Sequence, residues 1–233
     1  MRGLTRARLD DLYLGVLGYY TGHVIRHGAT PQGVDWENAA AQRLRFGQLL
    51  RICDFSSRFA LNDLGCGYGA LRGYLQDYHA GTQVDYLGID LSSAMIRAAT
   101  RMWRDRPDAR FVVGNASPRC ADYSVASGIF NFNPGGSRAS WERYVAHTLE
   151  NLHTTSRLGF AVNFKSRGTL GREPETEEYE TSPQKWLRHC TEAFGRPAGI
   201  VEGYGLPEFT LLVRRNQRPR FDALPLSSSS SGL

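Results

Sequence analysis

The chain has 233 residues, of which 41% are hydrophobic, and a formal net charge of +5 at pH 7. This length suits one α/β domain with additions at its ends, and no apolar run reaches the roughly 18 residues that a membrane-spanning helix requires. The start of the chain does not resemble a signal peptide, because glycine, tyrosine and aspartate interrupt its apolar residues, so we expect a cytoplasmic protein with no membrane partner.

Cysteine and basic residues argue against two further classes of protein. The four cysteines are widely separated and include no Cys-x-x-Cys pair, so we expect neither a metal site nor a disulfide framework. Only Lys165 and Lys185 are lysines, and the arginines are scattered along the chain rather than clustered. A nucleic-acid partner is therefore not favoured, because such partners select a concentrated basic face.

Two amphipathic helices are predicted before the first strand. Apolar residues recur at spacings of three and four over residues 9–27, and a second helical pattern covers about residues 38–52. The stretch between them, "GATPQGVDW", is rich in turn residues. We assign residues 1–58 to an N-terminal helical cap.

From residue 59 onward, strand and helix patterns alternate. The predicted strands are "FALNDLG", "DYLGIDL", "ARFVVGN", "ADYSVASGIF" and "LGFAVNF", and the helices between them are "LRGYLQDY", "SAMIRAATRMW" and residues 138–153. A helix at residues 183–194 is followed by strands at 200–204 and 208–214 with a Gly-Leu-Pro turn between them. The pattern predicts a Rossmann-like α/β core over residues 59–215, with a seven-stranded, mostly parallel sheet, helices on both faces and a reversed last strand.

Two polar segments lie outside this scheme. Residues 165–181 are rich in Gly and Glu and longer than an ordinary connection, so they form either a lid or substrate loop or a plain solvated insertion. Residues 216–233 include "PLSSSSSGL" and are predicted to be a disordered tail.

The stretch "LNDLGCGYGALRGYL" joins the first predicted strand of the core to the helix after it. Asp63 lies in the strand, and Gly65, Gly67 and Gly69 permit positive φ and a close approach of the backbone to a ligand. The spacing is not the G-x-G-x-x-G of dinucleotide-binding proteins, and no Gly-Lys-Ser/Thr follows as in a Walker loop. A tight turn and a cradle for a nucleotide-like ligand both fit these residues.

The next two strands also end in groups that can bind a ligand. Asp90 can accept hydrogen bonds from both hydroxyls of a ribose beside the apolar Leu91, although an aspartate before a helix can equally be an N-cap. Asn115, next to Ala116, can accept from an adenine amino group, although Gly-Asn is also an ordinary turn.

The fourth strand ends in Ser127 and Gly128, which are small and leave room above the sheet. In this order the runs "LNDLGCGYGAL", "YLGIDLSSAMI", "FVVGNAS" and "YSVASGIF" resemble the class I S-adenosylmethionine-dependent methyltransferases, and "ASGIFN" and "YGLPEFTLLVRR" resemble a bacterial small-molecule branch of that family. The resemblance covers about residues 59–214.

The resemblance implies S-adenosylmethionine as cofactor, with Asp63 and the glycines at its methionine end, Asp90 at its ribose, and Asn115 with Ala116 at its adenine. The residues so assigned to the cofactor are Asp63, Gly65, Cys66, Gly67, Gly69, Asp90, Leu91, Asn115, Ala116, Ser127 and Gly128. Arg45, in the second helix, either pairs with the cofactor carboxylate or occupies a solvated helix position.

Residues for the methyl acceptor are less clearly marked. Aromatic faces can stabilise a sulfonium cation, although such residues also build cores. The aromatic candidates are Trp36, Tyr19, Tyr20 and Phe130, and Asn163 is a further candidate for contact with the substrate. No general base stands out, and the candidates for a catalytic role are His23, Asn131 and Tyr179.

The segment after the fourth strand indicates the substrate class. It reads "NFNPGG" and lacks the Asn/Asp-Pro-Pro-aromatic motif of the amino methyltransferases that act on nucleic-acid bases and glutamine. We therefore expect methyl transfer to an oxygen or nitrogen of a small molecule, in bacterial specialised metabolism. An RNA or DNA methyltransferase, and a non-methylating cyclase or binding module on the same fold, are the alternatives.

Overall fold

A computed structural model describes residues 6–167 and 177–215, and its centre is one β-sheet. The strands are β1 (Phe59–Leu64), β2 (Val84–Asp90), β3 (Ala109–Val113), β4 (Ala121–Ala126), β5 (Ser156–Ser166), β6 (Glu180–Thr181), β7 (Ala198–Val201) and β8 (Glu208–Arg214). Seven of them follow the order β3-β2-β1-β4-β5-β8-β7, and the two-residue β6 pairs with β5.

Six α-helices accompany the sheet in the described part of the chain. They are α1 (Arg6–His27), α2 (Ala39–Leu49), α3 (Ala70–Tyr78), α4 (Ser93–Met102), α5 (Arg138–Thr154) and α6 (Pro183–Phe194). Side chains of Asn38, Ser92 and Ser137 accept hydrogen bonds from the first turns of α2, α4 and α5, which satisfies amides that have no partner inside the helix. Pro183 begins α6, where its missing N–H costs nothing.

The predicted fold class is confirmed. Strands β1 to β5 pair in parallel, whereas β8 runs antiparallel to both β5 and β7, so the last strand is the reversed one. The strand predicted at 200–204 is shifted, because β7 ends at Val201 before Gly203 and Gly205, both of which have positive φ. Strand β5 also continues to Ser166, inside the predicted polar loop.

Parts of two predicted segments cannot be compared with the structure. Residues 168–176 of the polar loop and the predicted tail at 216–233 lie outside the described residues. None of the helices that the structure describes combines the length and the apolar character needed to cross a membrane.

Apolar side chains cover both faces of the sheet. On one face, Trp141 of α5 and Trp186 of α6 belong to a fully buried cluster. On the other, Leu49 of α2 and Leu71 of α3 are buried against β1 and β2. Leu12 of α1 belongs to the first cluster, so the cap shares a hydrophobic core with the rest of the chain. The predicted boundary at residue 58 stays a prediction.

The strand order changes direction at β1, which lies between β2 and β4. Open α/β sheets bind ligands beyond the carboxyl ends of the strands at such a switch point. The carboxyl ends of β1, β2 and β4 carry Asp63, Asp90 and Ser127, and this edge of the sheet is where the candidate site lies.

Candidate functional site

A cavity lies between the carboxyl ends of the central strands and helix α1, and we call it the central cavity. Most of the residues predicted to bind the cofactor line it: Asp63, Gly65, Cys66, Gly67, Asp90, Leu91, Asn115, Ser127 and Gly128. On the opposite side it is lined by Tyr13, Val16, Leu17, Tyr20, Val34 and Trp36. One wall therefore comes from the sheet and the other from the cap.

The loop after β1 needs glycine for two reasons. Gly65, Gly67 and Gly69 have φ values of +76°, +56° and +82°, which side chains rarely adopt. A Cβ on Gly65 would lie 2.2 Å from Ile129 Cγ2, and one on Gly67 would lie 2.7 Å from Val34 Cγ1. The loop is thus fixed by its own backbone and by the cap residue that packs on it.

Asp90 holds this loop in place. Its Oδ2 accepts a hydrogen bond from the Gly67 amide at 2.9 Å, and its Oδ1 accepts one from the Ser92 amide at 2.8 Å. The N-cap of α4 is Ser92, so the interpretation of Asp90 as the cap is wrong. Burial raises the pKa of the Asp90 carboxyl, and the two amide donors oppose that shift. Each oxygen keeps capacity for another donor.

Asp63 lies beneath the same loop and is 3% exposed. Its carboxylate accepts a hydrogen bond from the Tyr86 hydroxyl. Burial, reinforced by the charge of Asp90, raises the pKa of Asp63 to about 7 despite the opposing effect of that hydrogen bond. The central cavity therefore gains negative charge as the pH rises through neutrality.

Helix α1 is seated on the segment "NFNPGG" that follows β4. A Cβ on Gly15 would lie 2.4 Å from Pro134 Cβ, so the helix approaches Pro134 as closely as a glycine allows. Tyr13, two residues earlier, meets Tyr144 of α5 edge to face with 5.3 Å between ring centroids. The apolar spacing that predicted α1 includes the residues that line the cavity, but spacing alone could not show that they face a cavity.

Trp36 forms part of a closed ring of contacts. The Arg45 guanidinium lies 3.8 Å from the centroid of Trp36, and its Nε donates to Glu208 Oε2 at 2.8 Å. Asn163 Nδ2 donates to the same oxygen at 3.1 Å, and Asn163 Oδ1 accepts from the Gly128 amide at 2.8 Å. A Cβ on Gly128 would lie 2.3 Å from Trp36 Cζ2, which closes the ring.

This ring corrects two predictions. Arg45 is buried in an ion pair with Glu208 and does not line the central cavity, so it is not in position to meet a cofactor carboxylate. Asn163 is fully buried and positions Gly128 instead of facing a substrate.

A second opening shares Trp36 with the central cavity, and we call it the acidic cleft. It is lined by Tyr19, His23, His27, Gln32, Asp35, Trp36, Glu37, Asn131, Phe132, Lys165, Glu177 and Glu178. Trp36 belongs to the lining of both spaces, so the two spaces adjoin at this side chain.

Comparison with known proteins identifies the family of the chain. A family model described as "Methyltransferase domain" matches residues 62–133, which include the glycine loop, Asp90 and the end of β4. Rv1506c of Mycobacterium tuberculosis (strain ATCC 25618 / H37Rv), which carries a provisional name as a methyltransferase, is 37% identical over 166 residues, covering 71% of this chain and 99% of the relative. The chain belongs to the class I S-adenosylmethionine-dependent methyltransferase family.

Solved structures share the fold of this methyltransferase at low sequence identity. The N-methyltransferase NodS from Bradyrhizobium japonicum WM9, in complex with S-adenosyl-L-homocysteine, superposes with a TM-score of 0.56 at 15% identity, covering 86% of this chain and 97% of NodS. Human N-acetylserotonin methyltransferase in complex with SAM gives a TM-score of 0.55 at 16% identity, covering 88% of this chain and 67% of that one.

Several residues assigned from the methyltransferase sequence lie away from both spaces. Phe130 is fully buried and stacks on Phe164 with 5.1 Å between centroids, so it belongs to the core. Tyr179 is 2% exposed, and its hydroxyl donates to Glu142 Oε1, away from the cleft. Gly69 and Ala116 do not line the central cavity, and a Cβ on Gly69 would instead lie 2.6 Å from Trp103 Nε1.

The other candidates fall into the two spaces. Tyr20 lines the central cavity, whereas Tyr19, His23 and Asn131 line the acidic cleft. His23 Nδ1 lies 3.3 Å from the backbone oxygen of Gln32. In the described part of the methyltransferase, no group of three or more His, Cys, Asp or Glu side chains is placed to hold a metal ion.

Proposed function

We propose that this methyltransferase binds S-adenosylmethionine in the central cavity and methylates an oxygen or nitrogen of a small molecule held in the acidic cleft, as a step of bacterial specialised metabolism. The observation that carries the proposal is the position of Trp36, which is a wall of both spaces. Two neighbouring spaces that share a lining residue can bring a donor and an acceptor into direct contact beside that side chain, as in-line methyl transfer requires.

The residues of the central cavity fit the cofactor in charge and in hydrogen bonding. Asp90 keeps acceptor capacity for ribose hydroxyls, and Asp63 supplies negative charge for the ammonium of the methionine end. Ser127 Oγ is buried and has no hydrogen-bond partner among the described residues, so a polar group of a ligand would satisfy it. We assign Asn115 to the adenine edge.

The protein contributes position and the exclusion of water. S-adenosylmethionine, when bound, supplies an electrophilic methyl group on a sulfonium. Val16, Leu17 and Tyr20 give the cavity an apolar wall, and the faces of Tyr20 and Trp36 suit a cation. His23, which lines the acidic cleft with its Nδ1 3.3 Å from the backbone oxygen of Gln32, is the candidate to take the proton that the acceptor loses.

The charge of the acidic cleft supports a small molecule over a nucleic acid. Asp35, Glu37, Glu177 and Glu178 would repel the phosphates of RNA or DNA at this opening. NodS and N-acetylserotonin methyltransferase are also named for N-methyl transfer and for a small acceptor, respectively.

Calorimetry and label transfer test the proposal. S-adenosylmethionine should bind the purified protein, and incubation with the methyl-labelled cofactor and host extract should place the label in low-mass compounds. Absence of cofactor binding would contradict the proposal. Label found only in nucleic acid would favour the RNA or DNA alternative, and binding without any transfer would favour the cyclase or binding module.

A further inference from the structure

The acidic cleft has a charge opposite to that of the whole chain. Four carboxylates and one lysine line it, which gives a formal charge of −3 with both histidines neutral, whereas the chain carries +5. Lys165 Nζ is paired with Glu178 Oε1 at 2.5 Å, so the lysine does not neutralise the remaining three carboxylates. Glu37 and Glu177 are exposed at the cleft and available to a cation from solvent.

An aromatic surface lies beside these carboxylates. Tyr19 stacks on Phe132 with 3.7 Å between ring centroids, and its hydroxyl donates to Asp35 Oδ2 at 3.0 Å. Trp36 completes the surface on the side of the central cavity. Carboxylates next to aromatic faces are the combination that recognises an ammonium group, through charge-assisted hydrogen bonds and cation–π attraction.

Asn131 provides an independent sign that a ligand belongs in the cleft. The residue is 8% exposed and lines the cleft, and its Oδ1 has no hydrogen-bond partner among the residues that the structure describes. A buried acceptor without a partner is costly, and an N–H donor of a ligand would remove that cost.

We propose that the methyl acceptor is a small amine, protonated at neutral pH, whose ammonium group binds at Asp35, Glu37 and Glu177. This inference rests on the proposed function, because it names the acceptor class of the same enzyme. An ammonium held by carboxylates has no free lone pair and cannot attack a methyl group. The atom that receives the methyl group is therefore a second oxygen or nitrogen of the acceptor, nearer to Trp36.

Three matched probes test the charge preference. Tyramine, 2-(4-hydroxyphenyl)ethanol and 3-(4-hydroxyphenyl)propionate share a phenol and differ in carrying an ammonium, a hydroxyl and a carboxylate. Binding is measured by calorimetry on the full chain, with and without saturating S-adenosylhomocysteine. We expect tyramine to bind at least about tenfold more tightly than the alcohol and the carboxylate to bind most weakly. Equal or reversed affinities, or no binding of any probe, would overturn the proposal.

A double variant assigns the preference to the cleft. Asp35→Asn keeps a residue that tolerates the positive φ of +59° at this position, and Glu37→Gln is an exposed, isosteric change. Together they should weaken tyramine binding about tenfold and leave the affinity for the alcohol unchanged. Asp77→Asn, an exposed change outside the cleft, is the control. Unchanged tyramine binding in the double variant would also overturn the proposal.

Cofactor binding separates this inference from the proposed function. S-adenosylhomocysteine should bind the wild type and the double variant equally, since Asp35 and Glu37 do not line the central cavity. Cofactor binding together with no preference for tyramine would reject only the amine inference. No cofactor binding would reject the proposed function, whatever the probes do.

Discussion

The backbone amide of Gly67 donates a hydrogen bond to Asp90 Oδ2 at 2.9 Å, so the carboxylate at the end of β2 fixes the loop that follows β1. The two strands are parallel neighbours, with Leu64 in register with Ile89, and their carboxyl ends therefore meet. Asp90 thus organises the binding loop and also faces the cavity that we assign to the cofactor.

Replacing Asp90 should affect binding more than folding. Asp90→Ala removes the acceptors of the Gly67 and Ser92 amides. We expect the affinity for S-adenosylhomocysteine to fall about 100-fold in calorimetry, since hydrogen bonds to charged groups are worth about 1.5–3 kcal/mol each. Asp90→Asn retains one oxygen and should lose less. Asp77→Ala, an exposed change on α3, should bind like the wild type. Equal affinities in all of these variants would refute the assignment of Asp90 to the cofactor.

Two glycines of α1 should respond oppositely to the same substitution. Gly15→Ala would place a Cβ 2.4 Å from Pro134 Cβ, and we expect a loss of about 1–3 kcal/mol in the free energy of unfolding through overpacking. Nothing lies within 4 Å of the corresponding position on Gly18, so Gly18→Ala should gain about 0.5–1 kcal/mol from its higher helix propensity. Urea denaturation measures both.

The same pair tests whether the cap forms the cofactor site. Because Tyr13 and Val16 line the central cavity, a displaced α1 should also weaken S-adenosylhomocysteine binding in Gly15→Ala but not in Gly18→Ala. Gly15→Ala with wild-type stability and affinity would show that α1 does not depend on its contact with Pro134.

Asp63 should give stability and cofactor affinity opposite dependences on pH. Its pKa is about 7 in the folded chain and 3.8 as the reference value, so between these values the folded state holds a proton that the unfolded state has lost. The contribution of Asp63 to stability is therefore full below about pH 3.8 and is lost as the pH rises to about 7. Asp63 ionises within about one unit of its pKa, over about pH 6–8, and its negative charge attracts a cation. The affinity for a cationic cofactor should therefore rise over this range.

Asp63→Asn is the matched variant for that test. The amide stays neutral and its oxygen can still accept from Tyr86, so the rise of affinity with pH should disappear. Urea denaturation at pH 5 and at pH 8, about one unit above the Asp63 pKa, gives the free energy of unfolding of both proteins. Between these two pH values the wild type should lose more of that free energy than the variant. Parallel affinity profiles for the two proteins would remove Asp63 from cofactor binding.

The local pattern of the sequence was sufficient to predict the sheet and most of the residues that line the central cavity. Parallel strands joined by helices place their carboxyl ends at one edge of the sheet, so the alternation of strands and helices along the sequence predicts that Asp63, Asp90 and Ser127 meet. Strand β6 could not be predicted within the polar loop, because its two residues form a strand only by pairing with Lys165 and Ser166.

Long-range pairing could not be predicted in the same way. Arg45 is separated from Glu208 by 163 residues, and helix periodicity does not reveal a partner at that distance. Aromatic residues such as Phe130 are more often part of a core than of a ligand site, and the contact of Phe130 with Phe164 places it in the core. The place of Trp36 between two spaces depends on the fold of the cap over the sheet.

The Arg45–Glu208 pair should behave as a buried, coupled unit. The two side chains are 8% and 2% exposed, so Arg45→Met or Glu208→Leu alone would leave a buried charge without its partner and should cost about 3–5 kcal/mol of unfolding free energy. The double variant removes both charges and should cost much less than the sum of the single changes. A double-mutant cycle by urea denaturation measures the coupling.

Arg104 and Asp105, whose side chains are 74% and 87% exposed, form the control pair and should show almost no coupling energy. Additive costs at Arg45 and Glu208 would mean that the ring of contacts around Trp36 is not held by this ion pair. If the coupling is present, the single variants should also weaken S-adenosylhomocysteine binding, because Trp36, which the Arg45 guanidinium contacts, lines the central cavity.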